Sequence, residues 1–172
     1  ETKNTARKES GSFYTPRPIV DFMVKESIHQ HLTMKTGESN DDIGKQLLRE
    51  GDELEQQKKN SLVSALASIK ILDPACGSGA FPMGCLQYIV KLLNKLDPDN
   101  KLWKEIQLKK IKKELSNTID QSDYDTLKKN IETIFENQLN DPDYARKLYL
   151  IENCLYGVDI QPIAMQITKL RF

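Results

Sequence analysis

The sequence predicts an α/β fold: a parallel sheet with flanking helices, interrupted by a helical insertion. Three observations carry that expectation. A short run, Ile69-Lys70-Ile71-Leu72, reads as a strand and leads straight into Asp73-Pro74-Ala75-Cys76-Gly77-Ser78-Gly79. Beyond the glycines, Phe81, Cys85, Leu86, Ile89, Val90, Leu93 and Leu96 repeat at the period of an α-helix. A second short strand, Cys154-Leu155-Tyr156-Gly157-Val158-Asp159-Ile160, carries an acid near its end and is followed by Gln161-Pro162 and another helical pattern. Strand, helix, helices, strand, helix is the alternation of parallel strands whose crossovers cover the sheet.

Each element follows from its residues. Residues 1–10 are polar, charged and without period, and read as a flexible arm. Residues 11–60 form an N-terminal helical segment. In it, Gly11-Ser12-Phe13-Tyr14-Thr15-Pro16-Arg17-Pro18 opens a helix, with Thr15 as its cap and proline tolerated in the first turn. Ile19, Val20, Met23, Val24, Ile28 and Leu32 supply its apolar stripe, and it ends before Gly37. From Thr36 to about Asn60 charged and amide residues dominate, with Ile43, Leu47, Leu48 and Leu54 as apolar points, which reads as a solvated helix or linker. Residues 61–172 are then the first part of the α/β domain, entered by a short helical stretch over Ser61–Ser68. Asp97-Pro98-Asp99-Asn100 breaks the helix after the glycines. Two amphipathic stretches follow, one with Leu102, Ile106, Ile111 and Leu115, the other with Leu127, Ile131, Ile134, Phe135 and Leu139, and Asp141-Pro142-Asp143 reads as a turn or as the start of a further helix through Tyr144 to Leu150. Together they make the insertion of about 97–150.

Composition narrows the function. A chain of 172 residues with 38% hydrophobic content builds one modest core. Its 25 basic and 25 acidic residues cancel, unlike the basic footprint of a stand-alone nucleic-acid clamp. Three irregularly spaced cysteines give no disulfide framework and no metal-binding pair, which suits a reducing cytoplasm. No apolar run is long enough for a membrane span and no signal peptide is visible. The start at Glu1 and a final helical stretch without a stop signal read as a fragment of something longer.

A strand that ends in a glycine turn and passes at once into a helix points backbone N–H groups and the positive helix end at the sheet's carboxyl edge, where α/β proteins bind ligands. The loop lacks the lysine of a phosphate loop, and Pro82 breaks the Gly-x-Gly-x-x-Gly pattern. Asp73 beside it disfavours a pyrophosphate and favours a cationic amino group. Asp159 stands where an acid accepts hydrogen bonds from both hydroxyls of a ribose. The two acids describe a pocket for a nucleoside that carries an amino acid.

On these residues the chain resembles the adenine-N6 DNA methyltransferases of bacterial restriction-modification systems. Asp73 to Gly79 is similar to their S-adenosylmethionine loop, motif I; Gly11 to Pro16 resembles motif X; and Gly157-Val158-Asp159-Ile160 resembles motif II. The order X, I, II is that of the gamma arrangement, found in type I modification subunits and in Eco57I-like fused restriction-methylation enzymes. The resemblance covers about twenty residues. It implies a Rossmann-like methyltransferase fold, incomplete here, with S-adenosyl-L-methionine as cofactor. It also implies roles: Tyr14, Thr15 and Pro16 at the methionine end; Asp73 with Pro74, Ala75, Cys76, Gly77, Ser78 and Gly79 around the amino-acid portion; Asp159 on the ribose; Ile160 against the adenine. The DNA duplex would be held by regions outside this fragment, and specificity or restriction subunits are the implied partners.

Two departures stand out. Asp73 and Asp159 lie 86 positions apart, whereas a compact strand-helix-strand unit needs only about 20, so the insertion must be helical and local. The family's catalytic Asn/Asp-Pro-Pro-Tyr/Phe motif does not occur in these residues, so no catalytic residue is assigned and the fragment alone is expected to be inactive. Rival readings are a protein-glutamine or RNA methyltransferase, which share the loop and the acid, and a nucleotide-binding module without chemistry. Elsewhere the plainer readings prevail. Cys76 and Cys85 read as small buried hydrophobes, His29 and His31 point to different helix faces, Lys109 to Lys113 reads as a solvated face, and Trp103 reads as a core or interface anchor.

Overall fold

A computed structural model describes residues 15–39, 43, 47, 54–116 and 142–172. The expected arm over residues 1–10, Tyr14 with the rest of the Gly11-to-Tyr14 stretch, and the helix expected over Leu127 to Leu139 lie outside the described residues.

The first helix, α1 (Arg17–Thr36), ends at Gly37, whose φ of 75° closes the last turn through its N–H on the Thr33 carbonyl. Its start corrects one expectation: the cap is Pro16, with no side-chain cap bond, and not Thr15. Were Thr15 the cap, the third helical position would be Pro18, which has no N–H for the hydroxyl to reach. Val20, Val24, Ile28 and Leu32 are buried as the stripe predicted, but Ile19 and Met23 stand half-exposed and His29 is buried in their stead.

The second helix, α2 (Gln56–Ala67), begins earlier than the apolar residues from Leu62 suggested, because its first turn is polar and exposed. Ile43 and Leu47 are buried in the core and Leu54 packs against it, so the stretch read as solvated reaches inward at those points. Strand β1 (Ile71–Asp73) and helix α3 (Ala80–Leu96) follow. The predicted stripe of α3 is buried from Cys85 onward, joined by Pro82 and Leu92. α1 and α2 both pack on α3. Gly84 makes the α1 contact close: a Cβ there would come 3.0 Å from Val20 Cγ1.

The insertion opens with α4 (Lys101–Ser116) and ends with α5 (Pro142–Asn153). One buried polar cluster fixes its two junctions. Asp97 Oδ1 accepts the N–H groups of Lys101 (3.0 Å) and Leu102 (3.2 Å), and Oδ2 accepts that of Trp103 (2.9 Å), which satisfies the first turn of α4. Arg146 of α5, fully buried, donates to Asn100 Oδ1 (2.7 Å), Asn94 Oδ1 (2.9 Å), Asp97 Oδ2 (3.1 Å) and the Asp97 carbonyl. Trp103 is buried and meets Tyr149 of α5 edge-on at 5.2 Å, a core anchor as expected.

Strand β2 (Leu155–Gly157) pairs with β1 in parallel, with Ile71 opposite Leu155, Leu72 opposite Tyr156 and Asp73 opposite Gly157. It is shorter than the predicted Cys154-to-Ile160 run because the Cys154 N–H still closes α5 on the Leu150 carbonyl. The chain ends in α6 (Pro162–Arg171). The described sheet thus has two parallel strands in a helix-rich α/β arrangement. Helices cover one face, while Leu72 and Tyr156 on the other are exposed. Among the described residues no helix is long and apolar enough to cross a membrane.

Candidate functional site

The parallel register sets the site. Because Asp73 ends β1 directly beside Gly157, the acids Asp73 and Asp159 both emerge at the carboxyl edge of the sheet. The ladder continues past β2: the Val158 N–H donates to the Asp73 carbonyl (2.9 Å) and the Cys76 N–H to the Val158 carbonyl (3.0 Å). The glycine loop is thereby knitted to the segment that carries Asp159.

Inside the loop, Asp73 Oδ1 accepts the Ala75 N–H at 3.1 Å, a local turn. Its Oδ2 is buried and has no hydrogen-bond partner within the described residues. A carboxylate oxygen taken from water without a donor costs free energy that a ligand donor would recover. Among the described residues Asp73 Oδ2 therefore lacks a donor at the position where the sequence reading expects a cationic amino group. Gly77 and Gly79 hold φ of 55° and 81°, left-handed conformations that favour glycine. Gly79 is the cap of α3, and no side chain makes a cap bond there.

Asp159 closes the loop from the other side. Its Oδ2 accepts the Gly77 N–H (2.8 Å) and its Oδ1 the Gln161 N–H (2.8 Å). A carboxylate has about four acceptor positions, so one on each oxygen remains for a further donor. Ile160, next along, is an apolar side chain left 91% exposed among the described residues.

Among the assigned residues, the structure brings Asp73, Pro74, Ala75, Cys76, Gly77, Ser78, Gly79, Asp159 and Ile160 to one edge. Thr15 and Pro16 make no hydrogen bond to this loop. Yet α1 runs alongside α3 in the same sense, Val20 near Gly84 and His29 against Tyr88, so its start points to the loop end of α3. Burial pushes the Cys76 thiol up, with Asp73 and Asp159 adding to the effect, and holds Cys85 at about 11. Both are buried thiols, as the sequence reading had them.

Sequence reasoning missed the part played by α6. Thr168 Oγ1 donates to the Gly77 carbonyl (2.9 Å) and Arg171 to the Ser78 carbonyl (2.8 Å). A threonine inside a helical pattern carries no signal that its hydroxyl meets a loop some ninety positions earlier.

No family model and no solved structure matches the chain. Over a 176-residue alignment it is 27% identical to a protein of Methanocaldococcus jannaschii that bears the name "Putative type II restriction enzyme and methyltransferase RM.MjaORFECS2P". The alignment takes in 96% of this chain and 12% of that protein, so the chain spans only a small part of its relative's length.

Proposed function

We propose that the chain is the S-adenosylmethionine-binding part of a site-specific DNA methyltransferase that methylates N6 of adenine in restriction-modification. The observation that carries this reading is the buried, unpartnered Asp73 Oδ2 beside a loop that Asp159 closes. The likeness to a protein named as both restriction enzyme and methyltransferase supports the same class.

The residues present fit the cofactor. Asp73 Oδ2 would take the α-ammonium group, and the end of α3 with the amides of the loop would take the carboxylate. Asp159, with one acceptor position left on each oxygen, would receive the two ribose hydroxyls without releasing Gly77 or Gln161. Exposed Ile160 would lie against the adenine, and Tyr14, Thr15 and Pro16 would meet the methionine end. When bound, S-adenosylmethionine supplies an electrophilic sulfonium methyl group. The chain's own contribution is position: Asp73 and Asp159 would hold the cofactor by its two ends at the carboxyl edge of the strands. Burial pushes the Cys76 and Cys85 thiols up, and direct attack by an exocyclic amine calls on no cysteine. The duplex and any specificity or restriction subunits engage other parts of the whole protein, which works in the cytoplasm.

The test is methyl transfer by the whole protein that carries this segment. Incubation with isotopically labelled S-adenosylmethionine and duplex DNA, followed by nucleoside mass spectrometry, should yield labelled N6-methyladenine. Label in cytosine, RNA or protein would overturn the assignment.

A further inference from the structure

We propose that Thr168 is a positioning residue for the cofactor loop, a role that rests on the cofactor reading above. Thr168 is the buried residue of α6, while the apolar Ile163, Ile167 and Leu170 of that helix are exposed. The helix docks on the glycine loop through Thr168, with Met165 beside it against Cys76 Sγ at 3.6 Å. Its hydroxyl holds the Gly77 carbonyl at 2.9 Å, and its γ-methyl fills the space a Cβ on Gly79 would need, only 2.9 Å away.

Gly77 is thus held from both sides, its N–H by Asp159 and its carbonyl by Thr168. Without those bonds a glycine at φ 55° has the widest conformational freedom of any residue. The peptide between Gly77 and Ser78 is planar and trans, so a carbonyl turned to α6 aims the Ser78 N–H the opposite way. That N–H has no partner within the described residues. Thr168 accordingly sets the direction in which the loop offers Ser78 N–H to the amino-acid end of the cofactor, without touching the cofactor itself. Arg171, on the Ser78 carbonyl at 2.8 Å, turns the next peptide in the same manner.

The experiment is calorimetric titration of the whole protein with S-adenosylhomocysteine, together with steady-state kinetics in S-adenosylmethionine, for wild type, Thr168→Val and Thr168→Ser. Thr168→Val keeps the shape and removes the donor. It should weaken S-adenosylhomocysteine binding and raise KM about five- to tenfold at unchanged kcat, as loss of one hydrogen bond implies. Thr168→Ser keeps the donor and should stay within about twofold of wild type. Should Thr168→Val not fold, Thr168→Ala removes the same hydroxyl and carries the same expectation. Wild-type affinity in the hydroxyl-free variant, or equal losses in the valine and serine variants, would overturn the role of the hydroxyl. Failure of wild type itself to bind S-adenosylhomocysteine would instead remove the cofactor reading, and this role with it.

Discussion

Asp159→Asn separates two tasks of one carboxylate, the loop contacts seen in the structure and the ribose contact proposed above. In the chain without ligand, Asp159 holds the Gly77 and Gln161 amides at 2.8 Å each. The substitution replaces one oxygen by an NH2 group that faces an N–H, so one charge-assisted bond is lost and two donors meet. Such a bond contributes roughly 1.5–3 kcal/mol, and the half-buried setting argues for the lower end, about 1.5 kcal/mol. For a chain of this length that corresponds to a melting temperature lower by about 3–6 °C. The proposed ribose contact would add a separate effect: S-adenosylhomocysteine should bind about tenfold more weakly, since 1.4 kcal/mol is a factor of ten. Thermal melts with and without S-adenosylhomocysteine, alongside calorimetric titration, measure both. A lower melting temperature with unchanged affinity would leave Asp159 as a loop fastener and remove it from the cofactor site. Unchanged values of both would refute the whole assignment.

Two further outcomes follow from groups away from the loop. Arg146→Met removes the buried donor set that joins Asn94, Asp97 and Asn100, and should cost about 3 kcal/mol by chemical denaturation, since Asp97 keeps its three amides. A loss below about 1 kcal/mol would show that the cluster behaves like an ordinary surface pair. His29, buried against Tyr88 at 2.7 Å, has its pKa lowered first by burial and then by Lys25, and burial also lowers that of His31. Both histidines bind protons more readily in the unfolded chain. The stability that their neutral forms contribute is therefore present above pH about 6.5 and is lost as pH falls from there towards the lowered folded values. Denaturation from pH 7.5 to 5 should show this decline, and His29→Gln should flatten it; an identical slope in the variant would exclude His29 as its source.

The unit from β1 through α3 was legible because two signals of different kind coincide there, glycines that permit positive φ and an apolar period that runs on without interruption. The parallel pairing of β2 followed from the second acid-ended run. Burial of Arg146 was not legible, because a charged residue in a mixed stretch reads as solvated, and only the fold brings Asp97, Asn94 and Asn100 around it. The polar first turn of α2 was hidden for a related reason: exposed residues carry no period to read. Within the site, residue types identified the acids and the loop. Which oxygen of Asp159 meets which amide, and which oxygen of Asp73 meets none, depends on geometry that no spacing encodes.

The Arg146 cluster also bears on how the site assembles. Gly77 and Asp159 are 82 positions apart, and bringing them together means closing a long stretch of chain. Once Arg146 sits on Asp97, more than half of that stretch is already closed, and the effective span left to join falls to about two-fifths. The saving in closure entropy is about 0.8 kcal/mol, and the span that remains to be closed does not depend on how long the chain between Asp97 and Arg146 happens to be. The insertion is therefore tied off at its neck, as a side loop. Residues can be added or removed between those two positions without altering the distance over which β2 must find β1.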